Sequence, residues 1–120
     1  MTRYVDGFLI PVPSNNMDAY KKIAEQAAVV WKDHGALEYC EAVADDLEHE
    51  EVTSFRTSAG AKPDETVVFA WIVYASREHR DTVNAAVMAD PRMAEMMSPD
   101  MQVFDCKRMA YGGFRLLVDM

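Results

Sequence analysis

Glu65-Thr66-Val67-Val68-Phe69-Ala70-Trp71-Ile72-Val73-Tyr74-Ala75 is too rich in β-branched and aromatic residues for a helix, and Ser76-Arg77-Glu78 signals a turn at its end. It reads as a strand. Successive strand side chains point to opposite faces, so Val67, Phe69, Trp71 and Val73 share one face and Val68, Ala70, Ile72 and Tyr74 the other. Both faces are apolar, and each therefore needs a cover. Identifying the two covers decides the fold.

Upstream, residues 4–12 read as a first strand ended by Pro11-Val12-Pro13. Asp6 is its single charge, and Gly7 suggests a bulge or a close backbone approach. Ser14-Asn15-Asn16, with Asp18 three residues after Asn15, gives the start signals of a helix. That helix runs to about His34, with Tyr20, Ile23, Ala24, Ala27, Trp31 and His34 on one stripe and Gly35 where a left-handed residue belongs. Residues 37–44 read as a second strand. The acidic run Asp45-Asp46-Leu47-Glu48-His49-Glu50-Glu51 follows, and the segment 45–64 reads as a long loop with one helical turn near Phe55, capped by Thr53. Connections of that length are uncommon in compact domains.

Downstream, Ser76 caps a second helix that turns Val83, Ala86 and Val87 inward. The helix stops near Asp90, because Pro91 disfavours helical geometry in the residue before it. Asp90-Pro91 then opens a short helix through Met97. Residues 107–118 read as the last strand, with Gly112-Gly113 in its middle. The order is β-α-β-β-α-β, which predicts an α+β, ferredoxin-like protomer with a four-stranded antiparallel sheet and both long helices on one face. The other face needs a different cover. A second copy of the chain supplies it most simply, so a homodimer is expected; the 45–64 loop is the next candidate.

At 120 residues the chain is expected to be a single domain spanning 1–120. Half of it is apolar and 27% charged, an ordinary globular composition. A net charge of −8 argues against nucleic acid and against anionic membranes, because no surplus of Lys and Arg exists to release counterions. The opening residues have no apolar core of signal-peptide length, and no run is long enough to span a bilayer. Cys40 and Cys106 form no Cys-x-x-Cys motif, which fits two reduced, buried thiols and a cytoplasmic location.

Tyr4-Val5-Asp6-Gly7-Phe8, His34-Gly35-Ala36-Leu37, the run from Asp64 to Ile72, Met88-Ala89-Asp90-Pro91-Arg92-Met93 and the run from Phe104 to Phe114 resemble the YbaA-like proteins. These form a bacterial family of unknown function, and the five blocks in order cover nearly the whole chain. The resemblance implies a dimeric α+β barrel, in which ferredoxin-like protomers pack sheet to sheet. Cofactor-free monooxygenases and isomerases share that superfamily with proteins of no known activity. The family supplies no catalytic residues to carry over.

The residues themselves supply candidates. Asp6, His34 and Arg108 are the candidates for catalysis. Each has a structural alternative: an ion pair of Asp6 with Lys107 or Arg108, and a helix-end role for His34. Trp31, Tyr39, Trp71 and Tyr111 are candidates for lining a ligand pocket between helices and sheet, or are plain core. The acidic run lacks the ligand pattern of a calcium loop, and a lone His gives no zinc spacing, so no metal and no cofactor is implied. Two functions stay open. One is a dimer that binds or transforms a small hydrophobic or aromatic molecule without a cofactor; the other is a non-catalytic dimeric binding or accessory module.

Overall fold

The structure is a computed structural model and describes residues 2–98 and 102–120. Its elements are β1 (Tyr4–Pro13), α1 (Met17–Asp33), β2 (Glu38–Val43), α2 (Phe55–Ala59), β3 (Glu65–Tyr74), α3 (Arg77–Met88), α4 (Pro91–Met96) and β4 (Ala110–Arg115). The four strands form one antiparallel sheet in the order β2-β3-β1-β4. The stretch from Glu65 is therefore central, paired along its whole length with β1 and with β2 on its other side. This is the expected α+β, ferredoxin-like arrangement.

Cross-strand partners share a face, so the register divides the side chains. Tyr4, Asp6, Phe8, Ile10 and Val12 of β1 lie on the same side as Val68, Ala70, Ile72 and Tyr74 of β3. The helices cover that side. Val30 of α1, Val83 and Val87 of α3 and Met93 of α4 join Tyr4, Ile72 and Tyr74 in one buried cluster. Tyr20 joins Ile10, Val12, Val68 and Ala70 in a second. Val30 is the deeper anchor of α1, only 1% exposed, although it lies off the stripe read from the sequence.

The opposite side carries Val5, Leu9, Phe69, Trp71, Cys40, Ala42, Ala110 and Phe114, and no long helix lies on it. Phe69 is 46% exposed there and Phe114 59%. The molecule measures 39 × 38 × 19 Å, so its short dimension holds one sheet and one helix layer. Part of the bare face is nevertheless covered by the long β2–β3 connection. Its short helix α2 rests on β1 and β3, with the Phe55 ring 6.1 Å from that of Phe69.

Three local expectations are corrected. Ser14–Asn16 forms a 3-10 turn, and the Asn16 amide donates to the Val103 carbonyl at 2.9 Å instead of capping α1. Ser54, not Thr53, caps α2. The last strand begins only at Ala110, because Cys106–Arg108 forms a 3-10 turn whose Lys107 N–H is held by the Asp105 side chain. Cys40 and Cys106 are both free, as expected, but Cys106 is exposed and Cys40 half-buried, so neither is a buried thiol.

The two glycines of β4 serve opposite faces. The Phe114 ring lies over Gly7 and Gly112 on the bare side; a Cβ at either would touch it at 3.4 or 3.6 Å. On the helical side Tyr4 crosses Gly113, where a Cβ would lie 2.7 Å from Cε2 and 2.9 Å from Cζ of Tyr4. Tyr4 is buried and its ring supports Arg80, so it cannot simply swing aside. Gly113→Ala is expected to cost about 2 kcal/mol by overpacking, read from the urea midpoint. The same substitution in a Tyr4→Leu background should cost much less.

Candidate functional site

Asp6 is the deepest charged group described, 1% exposed on the helical face of β1. Arg80 comes down from α3 and donates Nη1–H to Asp6 at 2.6 Å. The Tyr111 hydroxyl, on neighbouring β4, donates to the other carboxylate oxygen at 3.1 Å and accepts from Arg80 at 2.9 Å. Arg80 itself is only 12% exposed, and its guanidinium sits 4.9 Å above the Tyr4 ring, a cation–π contact. Burial pushes the Asp6 carboxyl above its ordinary value, and Arg80 offsets only part of that rise. Asp6 with Lys107 or Arg108 is therefore a corrected expectation: its cation arrives from a helix.

A second carboxylate, half-buried, lies on the same face. Glu41 of β2 accepts from the Tyr39 hydroxyl at 2.6 Å and from the Tyr20 hydroxyl with its other oxygen. Burial, together with the Glu41 charge, raises both phenols above their ordinary value, so both stay protonated and donate. Trp31 stands between the two carboxylates, its ring 6.0 Å from Tyr39 and its indole N–H donating to Tyr74 at 3.1 Å. The helical face of the sheet thus holds a polar layer inside an apolar core, with each carboxylate receiving hydroxyl protons. Groups satisfied this way rigidify a core, and burial leaves the Asp6 carboxyl easier to protonate than an exposed one.

The other candidates are tied elsewhere. His34 is the C-cap of α1 and pairs through Nε2 with Asp90 at 2.8 Å, while Arg92 bridges Asp90 and Asp33. These contacts clip the end of α1 to the start of α4. Arg108 forms a bidentate pair with Glu65 at 2.7 and 2.8 Å and donates to the Gly60 carbonyl at 2.6 Å. Arg56 also donates to the carbonyls of Glu65 and Lys62. Glu65 is thereby the knot that holds the α2 loop against the sheet. Of the four aromatic candidates, Trp31 and Tyr39 are neighbours, Tyr111 joins Asp6, and Trp71 lies across the sheet on the bare face.

The hydrogen bond from Arg108, then that from the Lys62 N–H, hold the Glu65 carboxyl down at about 2. A depressed acid contributes stability that is complete above its unfolded value of about 4.5 and is lost as pH falls toward 2. The expected outcome is a stability that declines through that window, with a shallower decline in Glu65→Gln. Urea midpoints measured at half-unit steps from pH 5 to pH 2 check it.

Arg80, Glu41, Tyr20 and Glu65 were not singled out from the sequence. Arg80 was legible: it stands three residues before Val83 and seven before Val87, on the buried stripe of α3. Glu41 likewise alternates with Tyr39 and Val43 on one face of β2.

Two surface cavities accompany these clusters, and neither is lined by Asp6, His34 or Arg108. One, about 350 Å³, lies between α1 and α4 at Val29, Val30, Arg92 and Met96. The other, about 310 Å³, lies on the bare sheet face between Leu9, Ala42, Val67 and Phe69 below and Leu47 and Phe55 of the long connection beside them.

Residues 3–106 match the family model described as protein of unknown function, DUF1428. The uncharacterized protein YbaA of Escherichia coli (strain K12) is 45% identical over 117 residues, covering 98% of each chain, and that of Shigella flexneri matches equally well. Among solved structures, a dimeric ferredoxin-like protein from an uncultured marine organism superposes with a TM-score of 0.59 at 16% identity, covering 100% of this chain and 98% of the other. A NIPSNAP family protein from Agrobacterium tumefaciens gives 0.60 at 14%, covering 96% and 88%. SnoaB, a cofactor-independent oxygenase from Streptomyces nogalater, gives 0.57 at 11%, covering 100% and 98%. The chain therefore belongs to the DUF1428 family of unknown function, as a homologue of YbaA with a ferredoxin-like fold.

Proposed function

We propose that the protein acts as a homodimer built on its bare sheet face and binds a small hydrophobic or aromatic molecule. The carrying observation is the apolar face itself. Phe69, Trp71, Phe114 and Leu9 form a centre without charge, and Arg3, Glu38 and Asp119 form a charged rim at one end, with Arg3 paired to Asp119 at 2.8 Å and near Glu38 at 3.8 Å. An apolar core with a polar rim is the anatomy of a protein interface. A two-fold partner covers the patch with its own copy, burying on the order of 1,600 Å² in total, the size of a standard stable interface. The dimeric ferredoxin-like neighbour supports the same assembly. Light scattering at micromolar concentration tests it; a monomer there refutes it.

Between the two functions, a non-catalytic binding module is favoured. His34 and Arg108 are committed to ion pairs that hold α1 to α4 and the α2 loop to the sheet, and neither lines either of the two cavities described above. One observation keeps cofactor-free chemistry of the kind named for SnoaB as a second reading. Asp6 has a raised pKa and is hydrogen-bonded to the hydroxyl of Tyr111, a half-exposed residue, an arrangement suited to proton transfer. Turnover of an aromatic substrate under oxygen that disappears in Asp6→Asn, with folding retained, would establish it. The absence of nucleic-acid and anionic-membrane partners belongs to the same proposal, resting on the net charge of −8, and a cytoplasmic location rests on the two free cysteines.

A further inference from the structure

We infer that the cavity of about 310 Å³ on the bare sheet face is a binding site for a small hydrophobic amine, half-built by one protomer and roofed by the second. The inference rests on the homodimer proposed above. Its first support is the cavity's construction. β2 and β3 are antiparallel neighbours that a two-residue hairpin could join, yet the register resumes only after a connection from Val43 to Glu65. That connection is folded back over the sheet and fastened. Ser54 caps α2, Gly60 closes it with a left-handed φ of 67°, and Arg56, Arg108 and Lys62 converge on Glu65. The Phe55 wall is thus fixed by contacts within the chain and does not depend on a partner for its shape. Floor and wall come from one protomer; the open side faces where the second copy lies.

The second support is chemical. The floor and wall are Leu9, Ala42, Val67, Phe69, Leu47 and Phe55, all apolar. The volume is at the small end of the range for small-molecule sites. Asp45 is the charged residue of the lining. It has no ion-pair partner among the described residues, and Asp46, Glu48, Glu50 and Glu51 continue the negative charge outward. No Lys or Arg lines the cavity, so a carboxylate or phosphate ligand would find repulsion and no donor. A cation on an apolar body fits instead, its body against Phe55 and Phe69 and its ammonium at Asp45. The acidic run then has a role beyond solvation.

Calorimetric titration of the full chain with 2-phenylethylamine, 2-phenylethanol and 3-phenylpropionate at pH 7 tests the site, with light scattering on every sample. The amine is expected to bind the dimer, the alcohol about fivefold more weakly, and the carboxylate not at all. Asp45→Asn, an exposed substitution, should bring the amine down to the level of the alcohol. Ala42→Trp, which fills the floor from an exposed position on an edge strand, should weaken the amine more than tenfold and leave the dimer intact. A dimer that binds none of the three, or binds amine and carboxylate alike, overturns the inference and leaves the homodimer standing. Undiminished binding in Ala42→Trp also overturns it. Dissociation of the dimer by Ala42→Trp does so too, because the second copy and no ligand would then fill the cavity. A monomeric unmutated protein refutes the homodimer, and the roofed site with it.

Discussion

Ile72→Asp is expected to unfold the protomer, while Phe69→Asp, three residues away on the same strand, leaves it folded and takes the proposed dimer apart. Ile72 is 2% exposed among Tyr4, Val30, Tyr74 and Val83 and stands across from Asp6, to which the nearby Arg80 is already bound. An acid there loses the burial of a large aliphatic side chain and adds an unpaired charge. The cost is on the order of 4 kcal/mol or more, a large part of the stability of a domain this size. Phe69 is already 46% exposed in the single chain, so its replacement costs the fold little. In the dimer it would bury two carboxylates, since an isologous interface repeats every substitution, and association should weaken about a hundredfold or more. Circular dichroism and light scattering on the two variants separate the outcomes. An unfolded Phe69→Asp together with a folded Ile72→Asp would reverse the assignment of the faces.

The second large effect belongs to Arg80. Arg80→Met leaves Asp6 buried against apolar neighbours with only hydroxyl donors to hold its charge, and truncation of one partner of a buried pair costs about 3–5 kcal/mol. The pH dependence identifies the cause. The Asp6 carboxyl already lies above its ordinary value, and removing the guanidinium raises it further. A group with a raised folded-state pKa contributes stability below its unfolded value of about 3.8 and loses it as pH rises through the folded value. The deficit of Arg80→Met should therefore be largest at neutral pH and shrink as pH falls toward 4. In Asp6→Asn/Arg80→Met, with both charges gone, most of the stability should return. Urea midpoints at pH 7 and pH 4.5 decide it; a deficit that does not change with pH would mean that Arg80 matters only through its packing on Tyr4.

The strands and the layer of helices were legible in the sequence because they follow from period. Alternation over 65–75 and 4–12, the stripe of α1 and the capping residues Ser76 and Asp90 each state a local geometry that packing then respects. The two apolar faces of β3 also announced that one cover was missing. Which face it was could not be read, since Phe69 and Ile72 are equally apolar and only the register with β1 and the side taken by α1 and α3 distinguish them.

Partners of charged groups were decided by tertiary structure alone. Asp6 and Arg80 are 74 residues apart, and Glu65 and Arg108 are 43 apart. A carboxylate in a strand states that it needs a cation, and the nearest bases in a neighbouring strand were the obvious choice. The choice failed because Asp105 turns Lys107 and Arg108 out of β4 before pairing with β1 begins, while the stripe of α3 carries Arg80 inward. The long connection shows the same division. Its composition forbade a regular element longer than a turn, and only the convergence of Arg56, Lys62 and Arg108 on Glu65 folds it over the bare face. Sequence determined which surfaces were apolar and which residues were charged, because those are properties of single residues and their spacing. Tertiary structure decided what met what, because the energy of a buried charge depends on the atoms within a few ångströms, wherever in the chain they lie.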